Sequence, residues 1–262
     1  MRSFPTLGFP ELGRRSFGDG IQPGSIQVPS GGVITPDMFA GLTSWLDASN
    51  AGQMFTDNPG TINVSADGQA VAFFDDLSPI GNNYIQNTLG FRPLYKTNRQ
   101  NGKSGLLFQG TDDLMTSNIY TSFYSLAART SIMVLNIISA ANGLWGDASG
   151  YSGVYVAAPD AVRFYNYDGI NDIVDVDPQS GAVVISTWHD SGNIYIQRNN
   201  ATIGGPVASG NIALANLAQQ IGSTAGLFGN FDLYEMATYN VGLSTVDRGL
   251  LVTALKNKWG IL

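Results

Sequence analysis

The sequence predicts an all-β fold: a sandwich of two antiparallel sheets with one C-terminal α-helix and an extended N-terminal arm. Three observations carry that reading. The 262 residues include 32 glycines and 11 prolines, a turn density that suits many short strands better than a helical bundle. From Asp37 onward, short runs rich in β-branched and aromatic residues recur between turn residues. Only one segment, at the C-terminal end, spaces its apolar residues as a helix does. The length suffices for one large domain with a substantial core, and no internal repeat points to a solenoid or propeller.

Residues 1–36 differ from the rest of the chain. Pro5, Pro10, Pro23, Pro29 and Pro36 stand among glycines, and neither a period of 2 nor one of 3.6 is present. Such a stretch cannot bury a face of its own. It is expected to be an extended arm for assembly contacts, made through Phe4, Phe9, Arg14, Arg15 and Phe17. The body is expected over 37–262.

Within the body, Thr43–Asp47 reads as a first short strand and Ala70–Asp75 as a second, ending at the turn 77–83. Lys103–Gln109 comes next, and then Thr130–Ile138, apolar enough for a central strand. Gly153–Ala157 and Val162–Tyr167 flank Ala158-Pro159-Asp160 as a hairpin. Ala182–Trp188 and Asn193–Arg198 flank a second hairpin turn that holds His189. Phe231–Tyr239 closes the strand series. A helix is predicted over 244–259: Ser244 and Asp247 resemble a capping box, Val246, Leu250, Leu251, Ala254, Leu255 and Trp259 form the apolar stripe, and Lys256 and Lys258 suit the negative end of the helix dipole. Trp45, Phe73, Phe108 and Trp188 are the expected inward anchors.

Charge narrows the function classes. Only 13% of residues are charged, against about 25% in an average soluble domain, so the surface must rely on neutral polar side chains. A net charge of −7 argues against binding a phosphate backbone, and no nucleic-acid partner is expected. The most apolar run, Ile132–Ile138, is strand-sized, so no membrane span is expected. There is no cysteine, which leaves the redox compartment unread. Met1-Arg2-Ser3-Phe4-Pro5 leads into no apolar segment, so no secretion signal is expected.

Three segments, in this order and spacing, carry a family resemblance. They are Gly41–Ser49 around Trp45-Leu46-Asp47; Phe74–Ser78 through Arg92-Pro93 to Leu107–Leu114; and Phe231–Asn240 with Leu243-Ser244, Arg248 and Lys258-Trp259-Gly260. Together they resemble the laminin-G-like and concanavalin A-like domains of bacterial surface proteins and bacteriophage structural proteins. The resemblance covers residues 40–262. It implies the jelly-roll sandwich, a fold that hosts lectins, hydrolases, adhesion modules and capsid parts, so function must be argued from sites.

Glycoside hydrolysis needs two carboxylates facing each other across a cleft, and on a strand the expected pattern is Glu-x-Asp-x-Glu. It is absent: the only glutamates are Glu11 and Glu235, and Glu235 is expected to pair with an arginine such as Arg248. His189 is the only histidine and reads as a turn residue, and no Gly-x-Ser-x-Gly nucleophile elbow occurs. No catalytic residue and no cofactor are expected. For calcium the candidates are Asp172, Asp175 and Asp177, and a second acidic group of Asp75, Asp76, Asp112 and Asp113. For a glycan the candidates are Trp145, Tyr151, Tyr165 and Tyr167, whose rings stand near amide side chains, against a favoured competing reading of core or subunit contact. The expectation is a non-enzymatic virion structural protein, a bacteriophage capsid decoration, head-fibre or tail-appendage subunit. Its partners would be other virion proteins and symmetry-related copies, and it would assemble in a host cytoplasm. The alternative is a carbohydrate-binding or adhesin module on a cell or virion surface, and the third reading is a glycoside hydrolase.

Overall fold

The computed structural model describes residues 32–119, 123–139, 143–157, 161–167, 171–176, 180–190, 192–210, 217–224 and 226–262. Among these, two large antiparallel sheets face each other. The first sheet runs through Thr202–Ala208, Asn193–Arg198, Ala182–Asp190, Ala128–Ile137, Asn230–Tyr239, Lys103–Gln109 and Leu94–Gln100. Leu42–Asp47 pairs with the far half of Asn230–Tyr239. The second sheet runs from Asn171–Val176 through Ala161–Tyr167, Ser152–Ala157, Gly143–Asp147, Gln219–Ile221 and Met115–Ser117 to the two-residue strands at Tyr84, Phe73 and Met54. A separate hairpin joins Ser223–Thr224 to Leu227–Phe228.

The main core lies between the sheets. Leu46, Phe108, Met133, Ile185, Phe231 and Met236 from the first sheet meet Phe74, Met115, Trp145, Val154, Phe164 and Ile221 from the second. Phe108 and Phe231 stack with centroids 4.8 Å apart. The first sheet is also buried on its outer face, where Ile132, Val134, Val184, Ala237 and Tyr239 pack beneath the helix α1 (Thr245–Trp259) through Leu251, Val252, Leu255 and Trp259. Burial on both faces explains why Ile132–Leu135, within Ala128–Ile137, is a continuous apolar run instead of an alternating one.

Helix α1 has the predicted N-terminal cap. The Ser244 hydroxyl accepts from the Asp247 N–H at 3.1 Å and donates to the Asp247 carboxylate. Gly260 ends the helix in the left-handed region, which a residue without Cβ adopts at little cost. Val246 departs from the expected stripe and is 69% exposed.

Several strand boundaries differ from expectation. Ala70–Asp75 forms a strand only at Phe73–Phe74, with Ala70 making an isolated bridge to Leu94. Ala182–Asp190 runs past Trp188, so His189 lies within a strand and not in the turn. Of the four expected inward anchors, Phe108 alone belongs to the inter-sheet core. Trp45 packs on the helix side, Phe73 is half-buried beside Phe55, and Trp188 lies under Arg248. The expected arm falls outside the described residues through position 31, including Phe4, Phe9, Arg14, Arg15 and Phe17. Its described end packs on the chain's own body: Ile34 lies against the helix-side core, and the Tyr239 hydroxyl donates to the Pro36 carbonyl at 3.0 Å.

Candidate functional site

The outer face of the second sheet carries an aromatic surface. Ser152–Ala157 and Ala161–Tyr167 pair in simple register, with Val154 opposite Phe164 and Tyr155 opposite Arg163. Strand residues alternate between faces. Val154, Val156, Val162 and Phe164 are buried in the inter-sheet core, which turns Tyr155, Arg163, Tyr165 and Tyr167 outward. Tyr155 and Tyr165 meet edge to face with centroids 5.5 Å apart, and Tyr151 and Tyr167 lie 6.0 Å apart. Tyr167 is 40% exposed.

Glycines set where this face is covered. Gly143, Gly146 and Gly153 turn no side chain outward, and the hairpin at 223–228 seats itself there. A Cβ on Gly146 or Gly153 would stand 2.6 Å from the Thr224 hydroxyl oxygen, and one on Gly143 would run into the hairpin backbone. Thr224 and Tyr165 share a hydroxyl–hydroxyl hydrogen bond of 2.7 Å. Burial pushes the Tyr165 phenol up to about 12, with Thr224 opposing the shift, so the hydroxyl keeps its proton at neutral pH.

Two of the predicted glycan contacts, Tyr165 and Tyr167, are brought together on this face, and Tyr151 joins them at its edge. Trp145 is not. It pairs with Val154, an inward position, and stands 1% exposed against Phe123 and Tyr124 in the core. Sequence reading missed Tyr155 and Thr224. Alternation counted from Val154 would have found Tyr155, but nothing local to 223–228 announces a hairpin folded onto glycines about 70–80 residues earlier.

The carboxylate best placed for chemistry is sealed. Glu235 faces its cross-strand neighbour Asp47 under the end of α1. Trp45 Nε1 donates to Glu235 Oε1 at 2.9 Å, while Trp259 Nε1 and Lys258 Nζ donate to Oε2 at 2.8 and 2.6 Å. Lys258 also bridges to Asp47 at 2.7 Å. The expected pairing of Glu235 with Arg248 is therefore replaced by Lys258 and two indoles, because the outward side of the strand meets the last turn of the helix instead of the first. Burial, then the nearby Asp47 charge, raise the Glu235 carboxyl above the usual range, with Lys258 and Trp259 opposing.

Other candidates resolve into structural roles. His189 is fully buried, one ring nitrogen 2.7 Å from the Ala127 carbonyl and the other near those of Ser209 and Gly210. Asp76 accepts from the N–H groups of Ser78 and Asn82, fastening the turn 77–83, and Asp113 accepts from the Gln109 N–H. Asp172 and Asp175 lie in the strand Asn171–Val176 instead of a loop, and Asp177 falls outside the described residues. Among the described residues, no three acidic or histidine side chains come together as a metal cluster.

No family model and no curated protein matches the chain. Solved structures do. A Trypanosoma rangeli sialidase in complex with the inhibitor DANA is 13% identical, with a TM-score of 0.51 over 87% of this chain and 34% of its own. An arabinofuranosidase complexed with arabinofuranosyl-α-1,2-xylobiose is 14% identical (TM-score 0.49), matching over 71% of this chain and 50% of that one. The binding domain of botulinum neurotoxin DC is 10% identical (TM-score 0.49), matching over 82% and 52%. The fold is an all-β sandwich of two antiparallel sheets. The chain spans about a third of the sialidase it matches, so the likeness concerns architecture alone.

The expected virion role is corrected by these findings. The solved structures that share the architecture include a sialidase, and nothing in the comparisons supports a virion or bacteriophage setting.

Proposed function

We propose that the chain is a carbohydrate-binding module of the laminin-G-like or concanavalin A-like kind, which holds a glycan without cleaving it. The observation that carries this reading is the outward tyrosine group Tyr155, Tyr165 and Tyr167 on one sheet face, with Tyr151 beside Tyr167 at its edge. Tyrosine offers a flat apolar ring for the C–H face of a sugar and a hydroxyl for its polar rim. Its few rotatable bonds keep the entropy lost on binding small. The edge-to-face contact of Tyr155 with Tyr165, and the hydroxyl bond from Tyr165 to Thr224, hold two of these rings in place before a ligand arrives.

Binding without turnover is favoured by the burial of Glu235. Its two oxygens already receive three donors and it is 2% exposed beneath the helix, which counts against a role as general base. The test is a glycan array followed by calorimetry on the hit. The glycan should bind saturably, and Tyr165→Ala should weaken it at least ten-fold with the fold intact. An array without hits, or a hit that Tyr165→Ala leaves unchanged, overturns the reading. Release of free sugar from the bound glycan would overturn the non-catalytic part alone.

A further inference from the structure

A concavity of about 380 Å³ opens at the N-terminal end of α1, on the first sheet. It shares no residue with the tyrosine face, so what it binds is a question beyond the reading above. Its wall is a stack. Trp188 and Tyr195 are cross-strand neighbours whose rings lie 4.9 Å apart and 5° from parallel. The Arg248 guanidinium carbon sits 3.7 Å from the Trp188 ring centroid. The exposed Asp190 and the first residues of the helix, Ser244 and Thr245, complete the lining.

Arg248 is the residue that asks for a ligand. It is 7% exposed, and its Nη1 donates to the Leu243 carbonyl at 2.6 Å. Its Nε is sealed from solvent with no partner among the described residues, so a ligand would meet only the part of the guanidinium that faces the cavity. A buried cation with an unmet donor is costly, and apolar stacking on Trp188 offsets only part of that. The helix adds to the demand. Ser244 caps the Asp247 N–H, but the preceding N–H groups of Thr245 and Val246 have no acceptor inside the helix. Positive potential from the guanidinium and from the helix start therefore converges on one concave place.

We propose that this cavity binds a carboxylate-bearing sugar. The carboxylate lies against Arg248 and the first turn of α1, a ring hydroxyl donates to Asp190, and the sugar ring rests on Tyr195. Guanidinium is suited to carboxylate because its planar donors match the two oxygens. Asp190 selects within the anions: it repels a bare phosphate or sulfate, yet accepts a hydroxyl that a sugar acid supplies beside its charge. The volume is that of a small-ligand site.

The test is calorimetry on the full chain with D-glucuronate, D-glucose and acetate, which separate the acid, the ring and their combination. Glucuronate should bind saturably and at least ten-fold more tightly than either of the others. Arg248→Gln should remove that preference. Thr245→Pro should reduce glucuronate affinity several-fold while the helix persists, since proline is tolerated at the first helical position and Ser244 already holds the extended conformation that precedes proline. Tyr167→Ala should leave glucuronate affinity unchanged, which separates this cavity from the tyrosine face. Equal affinity for glucose or acetate, no saturable glucuronate binding, or indifference to Thr245→Pro overturns the proposal. If Arg248→Gln does not fold, Thr245→Pro decides alone.

Discussion

The outer faces of the two sheets start from the same strand alternation and end differently. On the first sheet the outward positions are Ile132, Val134, Val184, Ala237 and Tyr239, too apolar to leave in water, and α1 lies across them. On the second sheet the outward positions of three adjacent strands include glycines and tyrosines, with Arg163 opposite Tyr155. The glycines take a small hairpin at close range, and the tyrosines beside it stay partly open. One cover is recruited by apolar side chains and gives stability. The other is set by missing side chains and leaves a shaped, half-wet aromatic surface, the kind of patch that marks binding. Polar groups divide in the same way: Glu235, Asp47 and Lys258 are locked beneath the helix by charge, whereas Tyr165 is held by a neutral hydroxyl and a neighbouring ring.

The largest effect should come from lifting the helix. Trp259 is fully buried, stacks on Tyr234 at 5.1 Å and donates to Glu235. Trp259→Ala removes a large aromatic side chain and leaves Glu235 one donor short, so urea unfolding should show a loss of about 3–5 kcal/mol. A loss below about 1 kcal/mol would mean that the helix is a minor contributor and that the contrast between the faces is misdrawn. Glycan binding at the tyrosine face should survive in the fraction that remains folded.

Next comes the hairpin seat. Gly146→Ala places a methyl group 2.6 Å from both the Thr224 hydroxyl and the Ser152 carbonyl, so the hairpin must shift. Overpacking of this kind costs about 1–3 kcal/mol. Because Thr224 moves with the hairpin, Tyr165 loses its hydroxyl partner, and glycan affinity should fall together with stability. Stability lost with affinity intact would show that the hairpin supports the sheet and not the rings.

Much of the fold is legible in the chain itself. Lys103–Gln109 and Asn193–Arg198 have the predicted bounds, and the Ser244 and Gly260 ends of the helix come from local cap chemistry. The site is legible in part. Tyr165 and Tyr167 can be picked out as aromatics near amides, but Trp145 looks the same and turns inward, because facing is set by register with Val154 and not by residue type. The partners of Glu235 are out of reach for another reason. Which of Arg248 and Lys258 meets it depends on the direction in which α1 crosses the sheet, and no local pattern encodes that. The expected strand over 70–75 shrinks because its apolar residues serve an irregular edge, where only two residues make ladder bonds.

A smaller, global effect should appear with pH, and both faces contribute. Burial raises the carboxyls of Asp147, Asp113 and Asp75, and burial with the Asp47 charge raises that of Glu235. A raised acid holds its proton in the folded chain where the unfolded chain has released it. The stability this gives is fully present below the unfolded values, 3.8 for aspartate and 4.5 for glutamate, and is lost as pH rises through the folded ones. Asp57 and Asp67 run the other way through hydrogen bonds to Thr61 and Lys96, but both are exposed and count for little. Thermal unfolding should therefore occur at a lower temperature at pH 7 than at pH 5, and Asp147→Asn, on the second sheet, should flatten the trend. An unfolding temperature that climbs from pH 5 to pH 7 would show that these acids are better compensated than their burial implies.

The smallest change in stability should accompany a large change in binding. Tyr167 ends its strand on the open face and touches chiefly Tyr151. Tyr167→Ala should shift unfolding by no more than about 0.5 kcal/mol, the usual range for a surface position. If the open face is the binding surface, the same substitution should weaken the glycan found on the array by several-fold, because an exposed ring contributes through a ligand and not through the core. Trp259→Ala and Tyr167→Ala would then form opposite corners of one experiment, the first moving stability and sparing affinity, the second doing the reverse. Should both variants move stability alone, the tyrosines are an outer layer of packing, and the half-open face has no more to do with sugar than the covered one.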